Sequence, residues 1–299
     1  MNQVSVLAPR RKAFSFSSRA LLLLLPASLL FIALLAIPML MMGELSLYSF
    51  DITTSTTLPA RSLHNYALVL VDPYYQTIFL RTFGLALAVT VGAVVLGVPE
   101  AYIIYRMRPR WRTCFLILTL APLLISAVVR TLGWSILLSQ NGIIGSVLVW
   151  LGLMDSNAQL LFSFWAVVVV LIHALVPLVI LSVWTSLQGI DPQSCDAALS
   201  LGAGQLAVWR RIVLPQVLPG VLSGSLMTFA LSASAFATPA LIGGRRLKVA
   251  ATAAYDEFLN TLNWPMGATI AVLLLLINLL VIGVYGKLVE RRIQKRLGR

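Results

Sequence analysis

The sequence predicts an all-α, polytopic membrane protein with six transmembrane helices. Of its 299 residues, 59% are hydrophobic and 11% are charged, whereas charged residues make up about 25% of a typical soluble domain. The apolar residues are concentrated in long runs with few charges, which is typical of membrane-spanning helices. The net charge of +12 arises from basic residues just outside these runs, which indicates membrane topology and argues against a nucleic-acid partner.

The first part of the chain predicts one span and one polar loop. Residues 1–19 are polar and basic, and the uncharged run 20–42 that follows is long enough to cross about 30 Å of hydrocarbon. This run ends in MLMMGEL without a signal-peptide cleavage pattern, so we expect an uncleaved first transmembrane helix. Residues 43–81 are expected to form a polar loop outside the membrane.

Residues 82–286 are predicted to form a five-helix core. Small residues four apart, in the pairs Ala88/Gly92, Ala93/Gly97 and Gly220/Gly224, predict close approach between its helices. The connection at 139–159 is apolar for a free loop, so we expect an interfacial or packed helix there. The expected spans cover residues 82–105, 113–138, 160–187, 216–242 and 266–286, and a basic tail follows at 287–299.

The distribution of basic residues predicts the orientation in the membrane. Sixteen Lys and Arg residues lie in segments that six spans place on one side, against five in the other loops. The positive-inside rule then predicts that both termini are cytoplasmic. The sixteen lie in segments 1–19, 106–112, 188–215 and 287–299.

The cytoplasmic loop 188–215 is predicted to be folded. Asp191 is a favourable N-cap, and Pro192 is tolerated at the first position of a helix. Gly202 supplies a stop signal. A second short helix around Trp209 is expected before Pro215 and the next span.

The motifs of common enzyme classes are absent from the sequence. It contains no GxxxxGK[ST] phosphate loop, no nucleophile elbow and no HExxH motif, so we expect no catalytic residue, no metal site and no cofactor bound by this chain. The cysteines Cys114 and Cys195 have no metal-type or redox spacing. A membrane bundle without such motifs but with a folded cytoplasmic loop suggests a transport subunit that is driven by another protein.

The folded loop resembles the EAA-x3-G-x9-I-x-LP loop of binding-protein-dependent ABC importer permeases. In that family the loop docks on an ATP-binding subunit, and the resemblance assigns this ATPase-coupling role to the matching residues. One departure is an Asp where the family usually has Glu, which keeps the charge but shortens the side chain. The matching residues are Asp196, Ala197, Ala198, Gly202, Ile212, Leu214 and Pro215.

Residues 62–290 resemble the spermidine/putrescine-type members of that family, through segments that include the element Arg130-x3-Trp134, PALIGG and NWPMGA. The resemblance implies a type I ABC importer permease fold in a bacterial inner membrane. It also implies a second homologous permease, expected to form a heterodimer, a dimer of ATP-binding subunits that bind the ATP, and a periplasmic substrate-binding protein. Polyamine is the preferred substrate, and ferric iron, an opine or another small solute is the alternative.

Two other classes of function remain open at this stage. An ATP-independent secondary transporter or channel predicts coupling carboxylates at the membrane midplane or inverted repeats. The sequence offers only Glu100, near the end of a span, and no inverted repeat is visible. A membrane scaffold or sensor predicts an appended soluble domain, for which the polar segments are too short.

Polar residues inside the spans are candidates for the translocation path, because burying charge in a membrane costs about 2.5–3.5 kcal/mol on insertion scales. These candidates are Arg130, Trp134, His173 and Glu100. Each charged or imidazole side chain has a structural alternative. Arg130 snorkels or pairs with a loop carboxylate, Glu100 pairs with Arg106 or another basic neighbour, and His173 hydrogen-bonds to a neighbouring helix. An arginine is also an unfavourable wall for a polycation.

Overall fold

The computed structural model describes residues 18–51, 56–140, 142–153 and 159–296. Residues 1–17 of the expected basic N-terminal segment and the last three residues of the tail lie outside these ranges. Strands β1 and β2 form an antiparallel hairpin, and the other regular elements of the described chain are helices. Its elements are α1 Ser18–Leu45, β1 Tyr48–Asp51, β2 Thr56–Arg61, α2 His64–Val71, α3 Pro73–Arg106, α4 Pro109–Leu124, α5 Ala127–Leu138, α6 Ile143–Trp150, α7 Phe164–Gln188, α8 Pro192–Ser200, α9 Gln205–Val208, α10 Leu214–Ala233, α11 Ala250–Leu259 and α12 Trp264–Arg296.

Six helical segments of the described chain are long and apolar enough to cross a membrane, which confirms the predicted fold class. Their bounds differ from the expected ones where a span is interrupted, begins earlier or continues from a loop helix, as described below. The six segments are Leu25–Leu45, Pro73–Arg106, Ala127–Trp150, Phe164–Gln188, Gln205–Ala233 and Trp264–Lys287.

Helices α3, α7 and α10 pack most extensively against one another and form the centre of the bundle. Fully buried Val179 of α7 lies between the other two helices. A Cβ added at Gly97 of α3 would lie 3.1 Å from Val179 Cβ, and one added at Gly224 of α10 would lie 2.9 Å from Val179 Cα. Because lipid is as apolar as the side chains, such close van der Waals packing is what holds membrane helices together.

The bundle has two different ends. At one end, which we call the α8 end, α3 and α7 finish, and Ile104, Leu187, Ile190 and Val213 share a buried cluster. At the other, the α11 end, the start of α3 packs against α11 and α12, in a cluster that includes Ile78. The bundle therefore ends in two separated surfaces.

The span expected at 113–138 is interrupted. Helix α4 ends at Leu124 and α5 begins at Ala127, with extended backbone at Ile125. The expected helix in the 139–159 connection is α6. Helix α3 begins at Pro73, before the expected position 82, because the Asp72 side chain caps it by accepting the Tyr74 N–H at 2.8 Å.

The short helix expected around Trp209 is not separate from the fifth span. Helix α9 continues through a π-helical turn, Trp209–Val213, into α10, so that one rod covers 205–233. In this turn the Leu214 N–H donates to the Trp209 carbonyl, five residues back. The wider turn precedes Pro215, which has no N–H to donate and would crowd an ordinary helical turn.

Polar side chains anchor the hairpin and α2 at the α11 end. The Ser46 hydroxyl and the Tyr66 hydroxyl are 2.6 Å apart, and Asn65 Nδ2 donates to the Tyr48 carbonyl at 2.9 Å. Thr269 Oγ1 of α12 donates to the Ser46 carbonyl at 3.1 Å. Residues 43–81, expected as a polar loop, therefore include ordered structure that is bonded to the last span.

Candidate functional site

Helix α8 is defined at both ends by its sequence. The Asp191 carboxylate accepts the Gln193 N–H at 3.0 Å and caps the first turn. Gly202 ends the helix with a positive φ of 83°, a conformation that costs other residues about 1–2 kcal/mol. The Ala203 N–H then donates to the Ala198 carbonyl at 3.0 Å and satisfies a terminal carbonyl.

All seven loop residues singled out from the sequence lie at the α8 end. Asp196 and Ala197 are exposed on α8, and Ala198 is partly exposed. Gly202 forms the terminal turn. The remaining three, Ile212, Leu214 and Pro215, lie in the π-helical turn and the first residues of α10, and Pro215 is the most exposed of them.

Two exposed leucines beside these positions were not anticipated from the sequence. Leu201 is 89% exposed and Leu206 is 77% exposed. Below them, Ile190, Val208 and Val213 are buried and fix the α8 end to the bundle. Large apolar side chains presented by a short loop indicate a surface for another protein. The sequence feature that could have indicated this exposed surface is a leucine on each side of a Gly-Ala-Gly turn.

A cavity of about 150 Å³ lies beside α8, between it and the end of α3. Tyr102 and Arg106 of α3 line it together with Cys195 and Asp196 of α8. Asp196 therefore faces a pocket that contains a guanidinium as well as the outer surface of the loop.

Arg112 joins the α3–α4 turn to α7 under this surface. Its Nη2 donates to the Tyr105 carbonyl at 2.9 Å. Its guanidinium carbon lies 5.8 Å from the Tyr105 ring centroid and 5.4 Å from that of Trp184, within range of cation–π attraction. An arginine that the sequence explained as a topology signal therefore also makes specific contacts.

The structure brings together two of the four translocation-path candidates. Trp134 Nε1 on α5 donates to His173 Nδ1 on α7 at 3.2 Å, with the rings 5.5 Å apart in an edge-to-face arrangement. Arg130 lies one turn before Trp134, and its Nη1 donates to the Pro122 carbonyl. This carbonyl is among the last of α4, where a cation is favoured by the helix dipole. Neither snorkelling nor a carboxylate partner is needed to explain Arg130.

Glu100 is separate from that group. Its Oε1 accepts a hydrogen bond from Thr119 Oγ1 of α4 at 3.1 Å. The expected ion pair with Arg106 is not formed, because the Arg106 guanidinium instead contacts the Tyr102 side chain, with Nη1 3.4 Å from its hydroxyl. Glu100 joins α3 to α4 within the membrane.

No group of three His, Cys, Asp or Glu side chains that could hold a metal ion occurs among the described residues. Cys114 and Cys195 are free. The side chains that are brought together at the α8 end and between α5 and α7 are suited to docking and to lining a path. The six apolar helices define a polytopic membrane protein.

Residues 93–295 match the family model described as binding-protein-dependent transport system inner membrane component. The chain belongs to this family and is a multi-pass inner-membrane permease subunit of an ABC importer.

Several curated permeases are similar to the chain over most of its length. The spermidine/putrescine transport system permease protein PotB of Escherichia coli (strain K12) is 30% identical over 224 residues, 75% of this chain and 81% of the relative. The protein of the same name from Haemophilus influenzae is 26% identical over 263 residues, 87% and 88% of the two chains. The molybdenum transport system permease protein ModB of Mycobacterium bovis is 32% identical over 218 residues, 72% and 81%.

Solved ABC importers share the fold at low sequence identity. A chain of the bacterial alginate ABC transporter, in complex with an alginate pentasaccharide-bound periplasmic protein, superposes with a TM-score of 0.76 at 17% identity, covering 93% of this chain and 96% of that chain. A chain of the inward-facing MetNI methionine ABC transporter gives a TM-score of 0.57 at 17% identity, covering 74% and 99%.

Proposed function

We propose that residues 191–215 couple this permease to a separate ATP-binding subunit. The observation that carries the proposal is the exposure of Leu201, at the end of α8, and of Leu206, in α9. They lie beside Asp196 and Ala197, which are exposed on α8, a helix that is capped and terminated within the loop. The spacing from Asp196 to Pro215 resembles the coupling loop of the family. The Asp196 carboxylate has the charge of the usual Glu on a shorter side chain.

The continuous rod from α9 to α10 gives this coupling a mechanical route. Closure of the ATP-binding subunits on nucleotide pushes α8, and α9 follows it directly in the chain. Because α10 packs closely on α7 at Gly224, displacement of the rod moves the central helices together. The pore then switches between outward-facing and inward-facing states. ATP is bound by the partner, and this chain supplies no cofactor site.

The complete importer contains a second homologous permease, because one bundle of this size has too few helices to enclose a path. We favour a heterodimer of permeases on a dimer of ATP-binding subunits, with a periplasmic substrate-binding protein on the opposite side. Both termini and the α8 end face the cytoplasm in this assembly, because basic residues cluster around Arg106 and Arg210 and such clusters are typical of cytoplasmic loops.

A polyamine is the proposed substrate, since the PotB relatives are named for spermidine and putrescine transport. The Trp134–His173 pair supports this choice, because the indole ring is a surface to which an ammonium group binds by cation–π attraction. The hydrogen bond from Trp134 on α5 is the contact with a neighbouring helix that was expected as the structural alternative for His173. We propose that the pair also lines the translocation path, whereas, among the described residues, Arg130 and Glu100 contact only structural partners there. Because the ModB relative is named for molybdenum transport, a molybdenum-containing solute is a second candidate substrate.

Uptake measurements test the substrate directly. A strain lacking this chain is expected to lose uptake of labelled putrescine and spermidine and to keep uptake of molybdate and ferric iron. Uptake should return with the wild-type chain. Unchanged polyamine uptake together with loss of molybdate or iron uptake contradicts the polyamine proposal. Co-purification of an ATP-binding subunit with the chain tests the coupling proposal separately.

A further inference from the structure

The turn between α3 and α4, at the α8 end, carries four arginines within seven residues. The positive-inside rule treats all four alike, but the structure divides them into two pairs. Arg112 makes the ring contacts described above, and the Arg106 guanidinium lies 5.9 Å from the centroid of the Tyr102 ring. Arg108 and Arg110 are exposed and form no ion pair or hydrogen bond with any of the residues that the structure describes.

The carboxylates near this turn do not neutralise the free pair. Glu100 accepts a hydrogen bond from a threonine of α4, and Asp191 caps α8. Asp196 lies on α8 beside the cavity and, within the described ranges, forms no ion pair. The turn therefore presents positive charge that the described chain leaves without a counterion. Such a surface attracts a partner of negative charge.

The side chains that follow on α4 change from amphipathic to apolar. Trp111 is 61% exposed at the level where α3 ends, and its ring centroid lies 6.4 Å from that of Phe115. Tryptophan rings favour the headgroup level of a membrane. Further along the helix, Ile117 and Leu118 are 63% and 65% exposed, and no residue of α4 is buried. Charge, amphipathic ring and apolar side chains thus follow one another in the order of the parts of a phospholipid.

We propose that Arg108, Arg110 and Trp111 form a binding site for the headgroup of an anionic phospholipid. The lipid phosphate pairs with the two guanidiniums, whose planar donors suit phosphate oxygens. The indole ring lies beside the headgroup, and the acyl chains run along Ile117 and Leu118. Basic clusters beside membrane helices recognise anionic headgroups in this way.

The net charge of the headgroup decides which lipid is preferred. Phosphatidylcholine carries a choline cation beside its phosphate, so that two free guanidiniums favour a headgroup such as phosphatidylglycerol, which has a net negative charge. The site requires only that the α3–α4 turn lies at the membrane surface. It depends neither on the polyamine substrate nor on coupling through α8.

An acidic surface of a soluble subunit is the competing partner for Arg108 and Arg110. The apolar side chains of α4 favour lipid over this partner, because Ile117 and Leu118 continue the same exposed helix into the membrane, beyond the reach of a soluble protein. A soluble subunit at the turn would leave these side chains uncovered, whereas one phospholipid contacts both the charged and the apolar part.

The test uses a native cysteine of α4 as the reporter. Cys114 is free and exposed, one turn after Trp111. In a Cys195→Ser background the chain receives a fluorophore at Cys114 before assembly with its partner subunits in phosphatidylcholine nanodiscs. Quenching is then compared between trace amounts of spin-labelled phosphatidylglycerol and spin-labelled phosphatidylcholine. We expect phosphatidylglycerol to associate about tenfold more strongly. This preference should disappear at about 1 M salt, where the Debye length is about 3 Å.

Two double variants of equal charge change locate the site. Arg108→Gln/Arg110→Gln should abolish the preference for phosphatidylglycerol and retain the ATP-binding subunit. Arg210→Gln/Arg211→Gln is the matched control, because it also removes two exposed arginines from the α8 end, outside α4. The control should keep the preference at the reporter.

A preference that is absent from the wild type, or unchanged in the Arg108/Arg110 variant, overturns the proposal. An equal reduction in both double variants also overturns it, since the effect then comes from general surface charge. Loss of the ATP-binding subunit from the Arg108/Arg110 variant with an unchanged lipid preference assigns these arginines to that subunit instead. Failure of the wild-type chain to bind the ATP-binding subunit counts against the proposed function and leaves the lipid preference of the chain to be read separately.

Discussion

The two ends of the bundle are built by different chemistry. At the α8 end the contacts that fix the loop are apolar, through Ile190, Val208 and Val213, and the surface presents Leu201 and Leu206. At the α11 end the hairpin is fixed by hydrogen bonds such as that from Asn65 to the Tyr48 carbonyl. Both ends carry exposed arginines, for example Arg210 at the α8 end and Arg245 at the α11 end. The difference lies in how each end is held: the loop at α8 is fixed by apolar packing and exposes the leucines proposed to contact the ATP-binding subunit, whereas the hairpin at the α11 end is fixed by polar bonds.

The largest effect is expected when the apolar surface of the α8 end is made acidic. The double variant Leu201→Asp/Leu206→Asp should weaken binding of the ATP-binding subunit about 100-fold or more, because burying each leucine contributes about 1.5–3 kcal/mol. The affinity is measured by titrating the ATP-binding subunit onto the permease in nanodiscs. Leu63→Asp is the control, since Leu63 is 68% exposed but lies at the α11 end. If both variants lost the same amount of affinity for the ATP-binding subunit, the subunit would not bind at α8.

Removal of a buried polar contact tests the α11 end. Thr82 Oγ1 accepts the Ala250 N–H at 2.8 Å, and Thr82 is 1% exposed. Thr82→Val leaves a buried N–H unsatisfied and should cost about 1–3 kcal/mol. We expect a fall of several degrees in the Tm of the purified protein, with little change in binding of the ATP-binding subunit. Thr77→Val should leave the Tm nearly unchanged, because Thr77 is exposed and, among the described residues, its hydroxyl donates to the Pro73 carbonyl of its own helix.

Backbone strain at the end of α8 is expected to have a smaller effect. Gly202→Ala forces a side chain into a positive φ at a cost of about 1–2 kcal/mol, although no atom lies within 4 Å of the new Cβ. Affinity for the ATP-binding subunit should fall about tenfold. Gly204→Ala is the control, because that position is equally open and has a negative φ of −68°. Similar behaviour of the two variants contradicts a requirement for the Gly202 turn.

The smallest effect is expected at Arg112. Arg112→Lys keeps the charge but loses the planar guanidinium over Tyr105 and Trp184, which contributes about 0.5–1 kcal/mol. The Tm should fall by a few degrees. Arg110→Lys, at an exposed arginine of the same basic cluster, should not change it. A Tm for Arg112→Lys equal to that of the control would show that the ring contacts contribute nothing.

The sequence was sufficient for the number of spans and for the position of the folded loop. The number of spans follows from the hydropathy of long stretches of sequence. Asp191 and Gly202 each determine the conformation of the turn in which they lie, so none of these predictions requires knowledge of distant contacts. Both the cap at Asp191 and the positive φ at Gly202 are present in the structure.

The features that were missed depend on contacts between distant residues or on local backbone adjustment. The π-helical turn before Pro215 allows a proline to continue a helix, whereas the sequence signal for proline is a break. The interruption at Ile125 places a carbonyl of α4 beside Arg130, and no spacing rule predicts that pairing. The exposure of Leu201 also became visible only when the packing around α8 was known.

Coupling of this permease to ATP requires docking of the ATP-binding subunit at α8, and one accessibility measurement tests this docking directly. In a Cys114→Ser/Cys195→Ser background, the alkylation rate of Leu201→Cys is measured in nanodiscs before and after addition of the ATP-binding subunit, with Leu63→Cys as the reference. We predict at least tenfold protection of position 201 and none at position 63. Equal alkylation rates at position 201 with and without the bound subunit would contradict the coupling role of this loop.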